Sequence, residues 1–571
     1  MREPETPCCR ALIWAFLLTA PGCYAGLELD VDPYPDASGG EDGEDGEDGT
    51  SGESGGETGG ISDDADSACG PAGTNVIATA PMRRLTRHEY NNTVRDVLDD
   101  HTQPADALGV DIKTTGRGFD ANRLNDLTTD GVEDLLGTAE AVAARAVVEH
   151  DLPTWLGCDP DVKICVESFV AEKGRLLYRR PLTDEERTAV MSVYGDAAEE
   201  GGPQEGMEAA LTAMLASPHF TYLVELGEPV EPGSLVLRLS SYEVAARLSY
   251  FLWSSGPDST LLDRAEAGAL DDPAAIEAEA RRMLADDRAR DTIGTFTNQW
   301  LRIDTHLAEV DDAGRDAALY PMWSETLRDS MLEELTLFVD DIVRIRGLGV
   351  DELLTASYGF VDADLAEVYG VEAPALPMMR VELDPQTRSG LLTRAAVMAS
   401  SASSPNEPNL IYRGLLVRNE LMCGNLELPE MDVDQQLSSA ERVADPYCGT
   451  CHSLVDPLGQ TFDAYDSIGA LRTMDNEGNP IDATGVLFPP ETLAGPGALI
   501  DELIDSETVD DCLLERWTEF GLRTEGGIEN EECTLEVVRE AYESSGHDLR
   551  EAIVALTTTD AFRFRRLAEE D

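Results

Sequence analysis

The chain has 571 residues, enough for about three to five domains, and 42% of them are hydrophobic, ample for buried cores. Its 42 Lys and Arg stand against 112 Asp and Glu, a net charge of −70. That balance excludes nucleic-acid binding and charge-driven binding to an anionic membrane, and past residue 25 no stretch is apolar enough to span a bilayer.

The first 25 residues read as an export signal. Arg2 and Arg10 bracket a short polar region with Glu3 and Glu5, and an apolar run follows from Ala11 to Ala20. It closes on Ala20-Pro21-Gly22-Cys23, which resembles a bacterial lipobox, so Cys23 is the candidate for lipidation and the mature N-terminus. Ordinary cleavage near Ala25 is the alternative. Both readings send the chain to a compartment where disulfides persist. Residues 24–82 then carry 15 Asp or Glu and no Lys or Arg, with three Glu-Asp-Gly triplets between Glu41 and Gly49. Such a segment has too little apolar surface to fold and is expected to be a disordered, self-repelling tether. Residues 83–571 retain a charge of −55, so the folded body is itself acidic.

The body is predicted to be mainly α, in several small helical domains. Thr86-x-x-Glu89, Thr183-x-x-Glu186 and Ser240-x-x-Glu243 are capping boxes, and Asp272-Pro273 places a cap before a first-turn proline. From Trp323 to Ile345 one apolar face carries Leu327, Met331, Leu335, Phe338 and Ile342. Helices are also expected over 389–402, 409–422, 508–522, 534–544 and 548–558. Period-two alternation is confined to short segments near 234–239 and 480–488.

Cysteine spacing singles out one site. Cys448-Gly449-Thr450-Cys451-His452 has the spacing of c-type haem attachment: two thiols for the haem vinyl groups, then an imidazole for the iron. The expected cofactor is therefore covalent haem c with its iron. A local disulfide and half of a zinc site are the alternatives, the latter lacking a second Cys-x-x-Cys or His-x-x-x-His. With Cys8 and Cys9 lost in the signal, Cys23 lipidated and Cys448 and Cys451 given to the haem, six of the 11 cysteines remain for disulfides. Cys158 and Cys165 bracket a short loop, Cys512 and Cys533 flank a helix connection, and Cys69 and Cys423 are left by elimination. Met474, the one methionine after His452, is the candidate sixth iron ligand, with core filling as its alternative role. His547 is the one histidine after the motif, and Met422 and Met431 lie just before it. Arg472 is placed to pair with a haem propionate or to form a surface salt bridge. No hydrolase, Walker or zinc-protease motif is present.

These residues sit in a wider resemblance. Leu85-Thr86-Arg87-His88-Glu89-Tyr90, Arg179-Arg180-Pro181-Leu182-Thr183 with Ser217-Pro218-His219-Phe220, and Arg247-Leu248-Ser249-Tyr250-Phe251-Leu252-Trp253 with Asn298-Gln299-Trp300-Leu301 occur in order. Arg388-Ser389-Gly390-Leu391-Leu392, the Cys-x-x-Cys-His motif, Asp456-Pro457-Leu458-Gly459 and Asp560-Ala561-Phe562-Arg563 follow. The series resembles the exported multi-domain proteins called planctomycete cytochrome C-like, in their myxobacterial lipoprotein form. The resemblance implies helical satellite domains at 82–150, 155–228, 234–372 and 495–566 and a cytochrome-c-like domain at 385–488, behind a signal at 1–23 and a linker at 24–81. It implies architecture and a haem rather than a reaction. Where the family commonly carries Met, three residues after the attachment histidine, this chain has Val455.

Three functions stay open on the sequence. The first is an exported, lipid-anchored c-type haem protein that passes single electrons to an envelope redox partner. The second is a haem enzyme of peroxidase or oxidase type with an open sixth position. The third is a haem-free, disulfide-bonded surface scaffold.

Overall fold

Each capping box begins a helix at the expected residue. Thr86 precedes the helix Arg87–Leu98, Thr183 the helix Asp184–Gly201 and Ser240 the helix Ser241–Trp253. In all three the hydroxyl accepts the third-residue amide while the glutamate accepts the cap amide, at 2.7–3.3 Å. Two first-turn donors are satisfied at once. Asp272 caps the helix Pro273–Leu284 in the same region. The computed structural model describes residues 82–567 except 114–117, 121–127, 309–314, 401–406, 427–438, 447, 488–491 and 524–531. The export signal, Cys23, the acidic linker, Cys69 and Met431 therefore lie outside the described residues.

The architecture is mainly α, with several helical domains packed on shared apolar surface. The run beginning at Trp323 forms the helix Glu325–Asp340, capped by Ser324 and continued by a wide π-helical turn, Asp341–Arg346. Leu327, Met331, Leu335, Phe338 and Ile342 are all wholly buried. Helices Thr508–Leu522, Glu532–Ser544 and Leu549–Thr558 precede the short helix Asp560–Arg563 near the end of the chain. Strands are few and short, and they tie distant segments together. Arg83–Arg84 pairs with Tyr222–Leu223, and Val236–Arg238 pairs with both Glu228–Pro229 and the C-terminal Phe564–Arg566. The segment expected near 480–488 contributes only Thr484–Gly485, paired with Leu493–Ala494.

Aromatic stacking joins the third helical domain to the end of the chain. Phe296 lies 3.7 Å, ring to ring, from Trp517, and Phe119 stacks on Phe296 at 5.9 Å and meets Phe520 edge-on at 5.4 Å. No helix among the described residues is long and apolar enough to cross a membrane.

Two disulfides are described. Cys158 is joined to Cys165 across the loop before the helix Lys163–Leu177. The second corrects the pairing read from the sequence: Cys512 is joined to Cys423, so neither Cys512–Cys533 nor Cys69–Cys423 forms. Cys533 is also disulfide-bonded. The reason is the direction Cys512 faces. It is 2% exposed and turned toward the π-helical turn Leu416–Leu421, which Trp300 and Arg516 hold through the carbonyls of Glu420 and Asn419. Packing brings Cys423 to it across 89 residues, whereas Cys533 is nearer in sequence but opens a separate helix.

Candidate haem-attachment site

The motif occupies the first turn of the helix Gly449–Gln460. Cys448 is its cap residue, and its amide donates to Asp445 Oδ1 at 2.9 Å. The carbonyl of Cys448 accepts the amides of Cys451 (3.3 Å) and His452 (3.0 Å). Both thiols and the imidazole thus issue from a single turn. Cys451 is exposed and Cys448 half-buried, and among the described cysteines these two alone are free thiols. Burial and the Asp445 carboxylate push the Cys448 thiol above its ordinary value, opposite to the shift expected of a reactive redox cysteine at a helix start.

His452 is fixed by a partner four residues on. Its Nδ1 lies 2.8 Å from Oδ1 of Asp456, one helical turn away on the same face. Asp456 is 1% exposed, and its second oxygen accepts from Arg442 Nη2 at 2.9 Å and Nε at 3.1 Å. Arg442 comes from the helix Ser439–Ala444, so the carboxylate ties that helix to the motif helix. An ionised carboxylate only accepts, which makes Nδ1 the protonated ring nitrogen and leaves the lone pair on Nε2.

An adjoining face of the motif helix is set by close backbone contact. Gly414, in the helix Leu410–Leu415, lies against the carbonyl of Val455, and Gly459 lies against the carbonyl of Leu410. A Cβ at either glycine would overlap its carbonyl oxygen. Val455 itself is 3% exposed, a packing residue in this contact. The loop after the helix is gathered by Arg413, which is 1% exposed. Its guanidinium donates to the carbonyls of Phe462, Tyr465 and Asp466 at 2.7–2.8 Å and of Met398 at 3.1 Å. One planar fork thereby satisfies four backbone acceptors.

The remaining candidates stand apart from His452. Arg472 is ion-paired with Asp463 at 2.6 Å, donates to the Asp463 carbonyl at 3.0 Å, and reaches Glu407 at 3.4 Å. Met474 is half-exposed on the hairpin that follows, where it pairs with Pro480. Neither is hydrogen-bonded or ion-paired to His452. His547 stacks on Tyr542 at 4.9 Å, and Met422 packs against the core. Two residues that matter were not read as site residues from the sequence: Asp456, noted only within the Asp456-Pro457-Leu458-Gly459 motif, and Arg442. The four-residue step from His452 to Asp456 on a predicted helix is a readable signal, whereas Arg442 leaves none.

The donor set suits a c-type haem. Two unoxidised thiols share a turn with an imidazole whose Nε2, in the neutral ring, carries the lone pair. For a zinc site the set is short: among the described residues no group of three or more His, Cys, Asp or Glu is gathered to hold a metal ion.

No curated protein and no solved structure matches the chain. Five family models do, each described as a protein of unknown function: DUF1587 over residues 83–148, DUF1595 over 165–225, DUF1592 over 239–371, DUF1588 over 388–475 and DUF1585 over 491–562. The chain therefore carries, in succession, five of the repeat domains found in planctomycete cytochrome C-like proteins, with the Cys-x-x-Cys-His helix inside the DUF1588 match.

Proposed function

We propose that this chain is an exported, membrane-tethered c-type haem protein that passes single electrons at the cell envelope. One observation carries the reading: two free thiols and a carboxylate-paired imidazole share a helical turn in a chain whose other described cysteines are disulfide-bonded. A c-type haem held there supplies a one-electron iron couple. Cys448 and Cys451 would hold it, each thiol adding across one vinyl group so that its sulfur bonds one vinyl carbon and a proton goes to the other. His452 would ligate through Nε2. Arg472, already neutralised by Asp463, has the reach of a salt bridge, and Met474 remains the candidate sixth ligand. Cys23 would carry the lipid, the acidic linker would hold the body off the membrane, and an envelope redox protein would be the partner.

The test is a haem stain of denatured, mature protein from a haem-maturation host. Covalent haem on the wild type is expected, with Cys451→Ser keeping at most one thioether and His452→Ala giving little holoprotein or a ligation-defective spectrum. A wild type without covalent haem, or a His452→Ala variant with wild-type haem content and spectrum, would overturn the reading in favour of the haem-free scaffold.

A second reading rests on Val455, which is committed to helix packing where the family commonly has Met. It makes the protein a haem enzyme with an open sixth position. High-spin spectra and rapid cyanide binding would support it, and tight six-coordination in both redox states would reject it.

A further inference from the structure

We propose that Asp456 is the residue that sets the electronics of the site, lowering the iron's reduction potential through His452, and that Arg442 moderates it. This rests on the haem reading above. The geometry is built for the task and exceeds what helix stapling needs. Asp456 is 1% exposed, yet both of its oxygens are engaged: Oδ1 by His452 Nδ1 at 2.8 Å, Oδ2 by Arg442 at 2.9 and 3.1 Å. A buried carboxylate persists only when paired and hydrogen-bonded, and here the pairing divides its two oxygens between a ligand and a cation.

Two consequences follow. The hydrogen bond fixes the ring orientation and selects the tautomer with the proton on Nδ1, so in the neutral ring Nε2 presents its lone pair. The charged acceptor also draws the Nδ1 proton toward itself and leaves more electron density on the ring, making it a more basic ligand. A more basic ligand favours the oxidised iron, so the potential falls. Arg442 pulls in the other direction, because a guanidinium on Oδ2 reduces the charge available at Oδ1. The two residues therefore act with opposite sign, which a purely structural contact would not do. Asp456 is a positioning residue: it acts through His452 and touches no reacting atom.

The experiment measures covalent haem, thermal midpoint and redox midpoint on full-length mature protein, for the wild type and three variants. Asp456→Asn keeps an acceptor of the same shape and removes the charge. It is expected to retain covalent haem and to titrate at a higher potential than the wild type. Arg442→Gln leaves Asp456 a stronger acceptor and is expected to titrate lower. Asp445→Asn removes an equal charge beside Cys448 without touching the ring, and is expected to move the potential less than Asp456→Asn does. Haem retained with an unshifted potential in Asp456→Asn overturns this inference alone. So does a shift no larger than that of Asp445→Asn. Should Asp456→Asn fail to fold, a raised or unmoved potential in Arg442→Gln overturns it. A wild type lacking covalent haem overturns the haem reading and this inference with it.

Discussion

The third helical domain and the region around the Cys-x-x-Cys-His helix pack their helices by opposite means. In residues 239–371 the contacts are made by volume. Leu327, Met331, Leu335 and Phe338 fill one helix face completely, and the Phe338 ring meets Tyr358 at 5.5 Å with the Arg394 guanidinium 4.3 Å above it. Around the motif helix the contacts are made by backbone. Gly414 and Gly459 bring two helices into direct backbone contact, and Arg413 secures the following loop through four carbonyls. The third domain contains no cysteine, whereas the Cys423–Cys512 bond closes a loop that holds the whole motif helix. A helix held through backbone and a cross-link is fixed in position, which is what a site carrying two covalent attachments and an oriented imidazole requires.

The largest effect expected from this contrast is loss of the cross-link. Closing a loop with a sequence separation of 89 residues contributes about 4.5 kcal/mol in the chain-entropy treatment. The double variant Cys423→Ser, Cys512→Ser is expected to lose stability of that order in denaturant titration. Stability within about 1 kcal/mol of the wild type would show that the motif region, like the third domain, holds itself by packing alone.

The next effect exchanges the two packing modes. Phe338→Ala should cost about 3–5 kcal/mol through lost burial and a cavity, with covalent haem content unchanged. Gly459→Ala should cost at least as much, because its Cβ would overlap the Leu410 carbonyl oxygen, a backbone clash that only a shift of one helix relieves. Unlike Phe338→Ala it should also reduce haem attachment, since the displaced helix carries both thiols. The pair is read by calorimetry and haem staining together. Haem loss in Phe338→Ala, or full attachment in Gly459→Ala, would erase the distinction between the regions.

The parts of the structure legible in the sequence are those decided locally. Thr86, Thr183 and Ser240 cap helices because the box needs only four consecutive residues. The heptad-like face from Leu327 to Ile342 was visible because one helix writes its own period. The motif spacing was likewise local. What stayed hidden depends on tertiary contact. Chain proximity favoured Cys533 for Cys512, and packing of the turn before Cys423 decided otherwise. Arg413 left no trace because its partners are backbone carbonyls, which every sequence provides. Arg442 reaches Asp456 across 14 residues from a separate short helix.

The smallest effect concerns how the two regions begin their helices. Ser240 caps its helix with a hydroxyl and a reciprocal glutamate, so Ser240→Ala should cost about 1 kcal/mol and shift the thermal midpoint by about one degree with haem content unchanged. The motif helix has no side-chain cap from Cys448 itself. Asp445 supplies one from three residues upstream by accepting the Cys448 amide. Asp445→Ala removes that acceptor, and its stability cost should match that of Ser240→Ala, since one first-turn donor is released in each. The difference lies in what the turn carries. Releasing the Cys448 amide loosens the residue that must meet the haem together with Cys451, so holoprotein yield should fall in Asp445→Ala and stay constant in Ser240→Ala. Equal yields in the two variants would mean that the helix alone holds the turn and that Asp445 is only a cap.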